Sequence, residues 1–231
     1  RYISLIPVQC EETVLDEYDV LIKDATIVDG TGKKAYKGSI GVKGDRVAAI
    51  GKVKGDAVKT VDAKGLTATP GFIDAHSHAD WTLLWFPKAE SYVMQGVTTF
   101  VGGQCGGSPA PLGEHIRVPR MLTDHLPELD PYKYYPRLPY YPLEQVNEWM
   151  EEYFGWTLDW DTMGGYFDRV EDKGVSMNYA PLVGHGSVRT KVMGLDYKRH
   201  ATDEELAEMR EHIHQAMKDG CVGMSTGLDY D

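Results

Sequence analysis

The chain has 231 residues, of which 42% are hydrophobic and 26% are charged, values that are ordinary for a globular protein. Its formal net charge is −11 and it contains no lysine or arginine run, so no nucleic-acid partner is expected. No apolar run approaches the roughly 20 residues that a membrane-spanning helix needs, so no membrane association is expected either.

The three cysteines, Cys10, Cys105 and Cys221, lie in unlike contexts and form no disulfide framework. This usage is typical of a reducing compartment and predicts a cytoplasmic protein. Because the first residue is Arg1 rather than Met, we expect the true start to lie upstream, and a cleaved signal there stays open.

Residues 12 to 66 contain short runs in which apolar and polar residues alternate, separated by turn signals such as Asp29-Gly30 and Lys43-Gly44-Asp45. Alternation with period two is typical of half-buried strands. The pattern predicts a small antiparallel sheet.

From Thr69 onward strands alternate with helices, which predicts an α/β unit with a parallel sheet. Apolar runs place four strands at 71–76, 97–102, 177–184 and 221–225. Helices are predicted at about 87–95, 142–153, 160–173 and 202–219.

The last predicted helix has a complete start signal, because Thr202 is followed three residues later by Glu205, the spacing of a capping box. Gly220 is its stop signal. Its buried stripe is predicted to consist of Leu206, Met209, Ile213 and Met217. The histidines at 212 and 214 lie on different faces and are interpreted as solvated.

Segment 126–142 carries five prolines and five tyrosines, so neither a regular helix nor a central strand is expected there. We predict an inserted, structureless loop at about 112–142. Long loops in compact domains are usually functional. A wall of the substrate mouth and an inert or oligomeric contact both stay open as its role.

His76 and His78 end the predicted strand that begins at Phe72. Residues i and i+2 of a strand share one face, so both imidazoles are expected to meet while Ser77 points away. Two neutral imidazoles, with Asp74 and Asp80 nearby, suit a divalent metal such as zinc. Two unrelated histidines at a strand end are the alternative.

Cys105 follows the predicted strand at 97–102 and lies in the glycine-rich turn Gly102-Gly103-Gln104-Cys105-Gly106-Gly107. A free cysteine is often a small core residue. A turn between glycines is a poor place for core packing, which favours a ligand role.

These segments resemble the amidohydrolase superfamily, whose first barrel strand reads PGFID-x-H-x-H, as residues 70–78 do here. Residues 19–30 and 41–51 are similar to the opening strands of those enzymes. The turn G-x-C-G-x-S-x-A-P of the N-acyl-D-amino-acid deacylases is matched at Gly103, Cys105, Gly106 and Ser108. Segments 178–189 and 204–228 resemble the same branch.

The resemblance implies a (β/α)8 TIM-like barrel, of which the first four strands are present, with a small N-terminal β-sandwich domain. The expected division is 1–68 for the sandwich part and 69–231 for the half-barrel. A complete barrel typically needs about 250 residues. We therefore expect the C-terminal half of the same gene product as a second chain, and a homo-oligomer stays open.

The resemblance also implies zinc-dependent hydrolysis of N-acyl-D-amino acids or of peptides that contain D-residues. Cys105 and two later histidines would hold a tight zinc. His76 and His78, with a later aspartate that acts as general base, would form a second, weaker position.

Four further residues are candidate site residues because they lie at the ends of the third and fourth strands, where barrel active sites are built. His185 is a candidate catalytic residue, and a hydrogen bond that ties its loop to the next strand is an equal alternative. Arg189, Ser225 and Tyr230 are candidate substrate-binding residues.

Two alternative functions stay open. The first is a cyclic-amide hydrolase of the hydantoinase or dihydroorotase type, which shares the His-x-His strand but has a lysine where Cys105 stands. The second is a non-catalytic half-barrel scaffold.

Overall fold

The computed structural model describes residues 18–130, 132–134 and 138–227. The chain divides into two compact units between Gly71 and Phe72, close to the predicted boundary at 68/69.

The N-terminal unit contains one five-stranded sheet. Its strands are β1 (Tyr18–Ile27), β2 (Tyr36–Lys43), β3 (Arg46–Gly51), β4 (Ala57–Asp62) and β5 (Thr67–Ala68). Their order is β3-β2-β1-β4, with β5 also paired to β1. Leu21, Ala25 and Ile27 are almost fully buried on β1.

The prediction of an antiparallel sheet is wrong for part of this unit. Strands β1, β2 and β3 are antiparallel, but β4 and β5 pair with β1 in parallel, so the sheet is mixed. Alternation of apolar and polar residues reports which face of a strand is buried, and it does not report the direction of the neighbouring strand. The complete β-sandwich stays a prediction.

The second unit contains a four-stranded parallel sheet. Its strands are β6 (Phe72–Asp74), β7 (Val97–Gly102), β10 (Asn178–Gly184) and β11 (Gly223–Ser225). In the order β11-β10-β7-β6 each strand lies beside the strand of this sheet that precedes it in sequence, and all three pairs are parallel. The predicted parallel sheet is confirmed, and successive neighbours are the winding of a barrel. Phe100 and Val183 are fully buried on the two central strands.

Five α-helices lie among the described residues. They are α1 (Glu90–Val93), α2 (Leu143–Phe154), α3 (Met163–Lys173), α4 (His185–Met193) and α5 (Asp203–Asp219). Helix α1 is shorter than predicted, and α4 was not predicted, since its sequence reads as a strand end rather than as an amphipathic helix. Within the described part of the chain, every helix is too short or too polar to cross a membrane.

The inserted loop predicted at about 112–142 is not structureless, and that prediction is wrong. Strands β8 (His115–Arg117) and β9 (Tyr140–Pro142) pair antiparallel in it, and short 3-10 helices cover Arg120–Asp124 and Pro127–Leu129. Leu122 and Leu129 are fully buried in the main core. Apolar residues between the prolines thus anchor the segment, although prolines keep its elements short.

Helix α5 begins with the predicted capping box. The Thr202 hydroxyl accepts the Glu205 N–H at 3.2 Å, and the Glu205 carboxylate accepts the Thr202 N–H at 2.8 Å. The predicted stripe is partly wrong. Met209 is buried and Ile213 half-buried, whereas Leu206 and Met217 are exposed and Ala216 is buried instead.

Candidate metal centre

The two histidines follow β6 rather than lying on it. The chain bends because the Asp74 carboxylate accepts the His76 N–H at 3.1 Å, a local turn that ends the strand. The prediction that His76 and His78 share one face of a strand is therefore wrong. The bend nevertheless brings the rings together, with centroids 5.7 Å apart. Both rings are exposed while Ser77 is buried.

Ser77 fixes this bend from the buried side. Its N–H donates to the Val101 carbonyl of β7 at 3.0 Å. Its hydroxyl accepts the Ala79 N–H at 3.0 Å and lies 2.6 Å from the Tyr92 hydroxyl. The segment between the two histidines is thereby tied to the neighbouring strand, which limits how far the imidazoles can separate.

Cys105 lies in the turn after β7, and its thiol meets the histidines. Its Sγ is 3.4 Å from His76 Nε2. The ligand atoms of His76, His78 and Cys105 all lie within 4.8 Å of one another. Cys105 has φ +55°, a left-handed conformation that is uncommon for residues other than glycine. The surrounding structure must therefore hold the Cys105 backbone in this conformation.

Close packing of glycines holds the Cys105 turn. A Cβ on Gly103 would lie 1.8 Å from the Leu182 carbonyl oxygen of β10. Cβ atoms on Gly184 and Gly186 would lie 2.6 and 2.8 Å from the Gly106 carbonyl oxygen. These glycines therefore serve close backbone approach, which no other residue type permits.

Two serines lock the turn onto the start of α4. The Ser187 hydroxyl accepts the Ser108 N–H at 2.9 Å and donates to the Ser108 carbonyl at 3.0 Å. The Ser108 hydroxyl accepts the Gly184 N–H at 2.9 Å. Sequence reasoning missed Ser187, and the only signal for it is a second small hydroxyl residue beside the glycines of that segment.

Asp80 supports the turn from the core. It is 2% exposed, and its Oδ2 accepts the Gly103 N–H at 2.8 Å. Burial raises the pKa of Asp80 to about 7, although the Gly103 hydrogen bond acts in the opposite direction. The Tyr166 hydroxyl donates to the Asp80 carbonyl at 2.6 Å. Asp80 therefore faces the core rather than the histidines, where the sequence had placed it as a neighbour of the metal.

His185 and Arg189 both lie on α4. His185 is its first residue, directly after β10, and is half-buried. Burial and the neighbouring Arg189 cation lower the pKa of His185, which favours its neutral imidazole form. The Arg189 guanidinium donates to the Tyr197 carbonyl at 2.6 Å and to the Arg199 carbonyl, so it ties two loop carbonyls to the helix. Substrate binding by Arg189 stays a prediction.

Ser225 ends β11 and contacts the Cys105 turn. Its hydroxyl donates to the Gly103 carbonyl and accepts the Gly106 N–H at 3.0 Å. Tyr230, the other residue predicted beyond the fourth strand, lies outside the described residues.

The donor set fits zinc. Zinc in proteins takes imidazole nitrogen at about 2.0–2.1 Å and thiolate sulfur at about 2.3 Å, and two imidazoles and one thiol converge here. An all-carboxylate site would suit magnesium or calcium instead. The chemistry of these three side chains is that of a transition-metal centre.

The sequence of the chain is similar to those of known proteins. Residues 59–230 match the sequence model of the amidohydrolase family. The chain is 36% identical over 214 residues to D-aminoacylase from Alcaligenes xylosoxydans xylosoxydans. The alignment covers 92% of this chain and 38% of that protein, so the chain spans less than half the length of this relative.

Solved structures give a matching result. A D-aminoacylase studied for the functional role of its binuclear metal center has a TM-score of 0.72 at 31% identity, covering 93% of this chain and 39% of its own. N-acyl-D-glutamate deacylase from Bordetella bronchiseptica, complexed with zinc and a phosphonate inhibitor, has a TM-score of 0.71 at 29% identity. That match covers 94% of this chain and 40% of the deacylase.

Proposed function

The chain belongs to the amidohydrolase family, as its sequence predicted, and on this basis we propose that it forms part of a zinc-dependent N-acyl-D-amino-acid deacylase. The reaction is hydrolysis of the amide bond of an N-acyl-D-amino acid, or of a peptide with D-residues, to release the free D-amino acid. The observation that carries the proposal is the convergence of Cys105 with His76 and His78. A cysteine in this turn is the feature that separates deacylases from lysine-containing cyclic-amide hydrolases.

The three converging side chains would hold metal at two adjacent positions. Ligand atoms of a single tetrahedral zinc lie roughly 3.5 Å apart, given the usual bond lengths. The pair Cys105 and His76 matches that separation at 3.4 Å, whereas the full set spreads to 4.8 Å. The family resemblance supports the proposed arrangement, a tight position that Cys105 shares with two histidines from later strands, beside a weaker position at His76 and His78. The short distance between Cys105 and His76 is compatible with two neighbouring positions.

Besides the metal, the reaction needs side chains that stabilise the charge developing on the substrate carbonyl. Bound zinc supplies a polarised carbonyl and a water of lowered pKa. Burial and the Arg189 cation lower the pKa of His185, and this residue follows a barrel strand at the end where active sites are built. From there its N–H would donate to the oxyanion that develops on the substrate carbonyl. The general base is proposed to be an aspartate of a later strand.

The remaining ligands and strands are proposed to come from the C-terminal half of the same gene product. The outer strands of the four-stranded sheet carry exposed apolar side chains: Phe72 is 58% exposed and Ile73 66% on β6, and Met224 is 45% exposed on β11. Closure of the barrel would bury these side chains and pair both strand edges. The test is hydrolysis by this chain alone and after addition of the C-terminal half, with activity expected only from the pair.

The substrate class is tested by the full-length protein with zinc, assayed on N-acetyl-D-amino acids, hydantoin and dihydroorotate. We expect the protein to hydrolyse the N-acetyl-D-amino acids and to lose this activity when a chelator removes the zinc. Turnover of hydantoin or dihydroorotate alone would establish the cyclic-amide alternative. No turnover of any substrate by the zinc-loaded protein would favour the scaffold.

A further inference from the structure

The hydroxyl of Ser225 contacts the Cys105 turn on both sides of the cysteine. It donates to the carbonyl of Gly103, two residues before Cys105, and accepts the N–H of Gly106, the residue after it. Ser225 pairs with Gly184 in the register of β11 and β10. The contact therefore spans from the fourth strand of the sheet to the turn that follows the second.

Cys105 needs such support because its φ of +55° is one that residues with a Cβ seldom adopt. The surrounding structure must hold this conformation, or the turn relaxes and moves the thiol. Both backbone polar groups of Gly103 are held, since Asp80 Oδ2 accepts its N–H at 2.8 Å and Ser225 donates to its carbonyl. Of these two residues, Ser225 also binds the backbone that follows Cys105, where its hydroxyl accepts the Gly106 N–H.

We propose that Ser225 is a positioning residue that presents the Cys105 thiolate to the metal, rather than a residue that binds substrate. A serine hydroxyl has a single proton to donate, and here the Gly103 carbonyl accepts it. No donor is left for a substrate. The inference rests on the proposed function, because it requires Cys105 to be a metal ligand.

The test uses the full-length protein loaded with Co²⁺, whose bond to a thiolate gives a sulfur-to-cobalt charge-transfer absorption. Wild type is compared with Ser225→Ala, Ser225→Thr and Ser225→Val for Co²⁺ affinity, by chelator competition, and for this absorption. Threonine and valine have the same shape, so their comparison isolates the hydroxyl even if the alanine variant fails to fold. Asn147→Ala is the control: Asn147 Oδ1 accepts the Leu158 N–H at 2.8 Å, outside the turn.

We expect Ser225→Ala and Ser225→Val to bind Co²⁺ roughly 10–100-fold more weakly, the usual loss when a residue that orients a metal ligand is replaced. Their charge-transfer absorption should be weakened or shifted. Ser225→Thr is expected to stay near wild type. Asn147→Ala should lower the melting temperature and leave affinity and absorption unchanged.

Two results would overturn the inference, and only the second of them would also contradict the proposed function. Wild-type affinity and absorption in Ser225→Ala or Ser225→Val would refute the positioning role and leave the proposed function standing. Absence of the charge-transfer absorption in the wild-type protein would refute Cys105 as a ligand, and both proposals with it.

Discussion

The Sγ of Cys105 lies 3.4 Å from Nε2 of His76, although 29 residues separate the two in sequence. The register of the parallel sheet explains this contact. Asp74 of β6 pairs with Phe100 of β7 in a parallel arrangement. The segments that follow these two strands therefore leave the sheet at the same end, the carboxyl end of the strands. Ligands that are distant in sequence meet because they follow neighbouring parallel strands.

Replacement of Cys105 by alanine should remove most of the tightly bound zinc from the full-length protein. Loss of a group that merely orients a ligand already costs roughly 10–100-fold in metal affinity, so loss of the thiolate itself should cost more. Zinc per protein, measured by elemental analysis, and N-acetyl-D-amino-acid hydrolysis check this. Cys221→Ala is the matched control and should keep both. Full zinc and full turnover in Cys105→Ala would remove Cys105 from the site.

The proposed deacylase should discriminate between enantiomers. N-acetylated D-amino acids are expected to be hydrolysed far faster than their L forms, because the cysteine turn resembles that of the D-specific branch. Initial rates for matched D and L pairs at equal concentration provide the measurement. Equal rates for the two enantiomers would contradict the assignment to this branch.

Cys221 should resist alkylation in the folded protein across the ordinary pH range. Burial raises the pKa of the Cys221 thiol to about 12, and the reactive thiolate forms only as pH approaches that value. Iodoacetamide at about pH 8, followed by peptide mass spectrometry, should leave Cys221 unmodified until denaturant is added. Cys105 is expected to become modified only after zinc is removed. Rapid labelling of Cys221 in the native protein would contradict its burial.

Gly103→Ala should be much more damaging than Gly155→Ala. Both glycines have positive φ, +74° and +70°, so an alanine at either incurs a left-handed strain of about 1–2 kcal/mol. The Gly155 site is open, whereas a Cβ on Gly103 would meet the Leu182 carbonyl oxygen. We expect Gly103→Ala to lose zinc and several degrees more in melting temperature than Gly155→Ala. Equal shifts and retained zinc would show that the turn tolerates displacement.

Sequence patterns predicted those parts of the fold that depend on local chemistry. The capping box of Thr202 and Glu205 and the strand at 97–102 are examples, since each is specified by adjacent residues. Strand direction in the N-terminal sheet was not predicted, because the pairing of β4 with β1 depends on residues far apart in sequence. The burial of Leu122 and Leu129 in the predicted loop at 112–142 was missed for the same reason.

The sequence motifs selected candidate ligands that lie close together, but the residues that hold these ligands in place were not predictable. The motifs identified His76, His78 and Cys105, and the structure brings their ligand atoms together. Strand geometry was the wrong reason for the histidine pair, since an aspartate-stabilised bend ends β6 first. The role of Asp80 depends on a hydrogen bond to Gly103 that joins the segments following β6 and β7, which no local pattern reports.

The central claim is that Cys105, with His76 and His78, holds zinc, and anomalous X-ray diffraction at the zinc edge tests it most directly. Crystals of the full-length protein would be measured on both sides of that edge. We predict an anomalous peak about 2.3 Å from Cys105 Sγ, next to the two imidazoles. A zinc peak elsewhere in a fully zinc-loaded crystal, with no zinc at Cys105 Sγ, would contradict this claim.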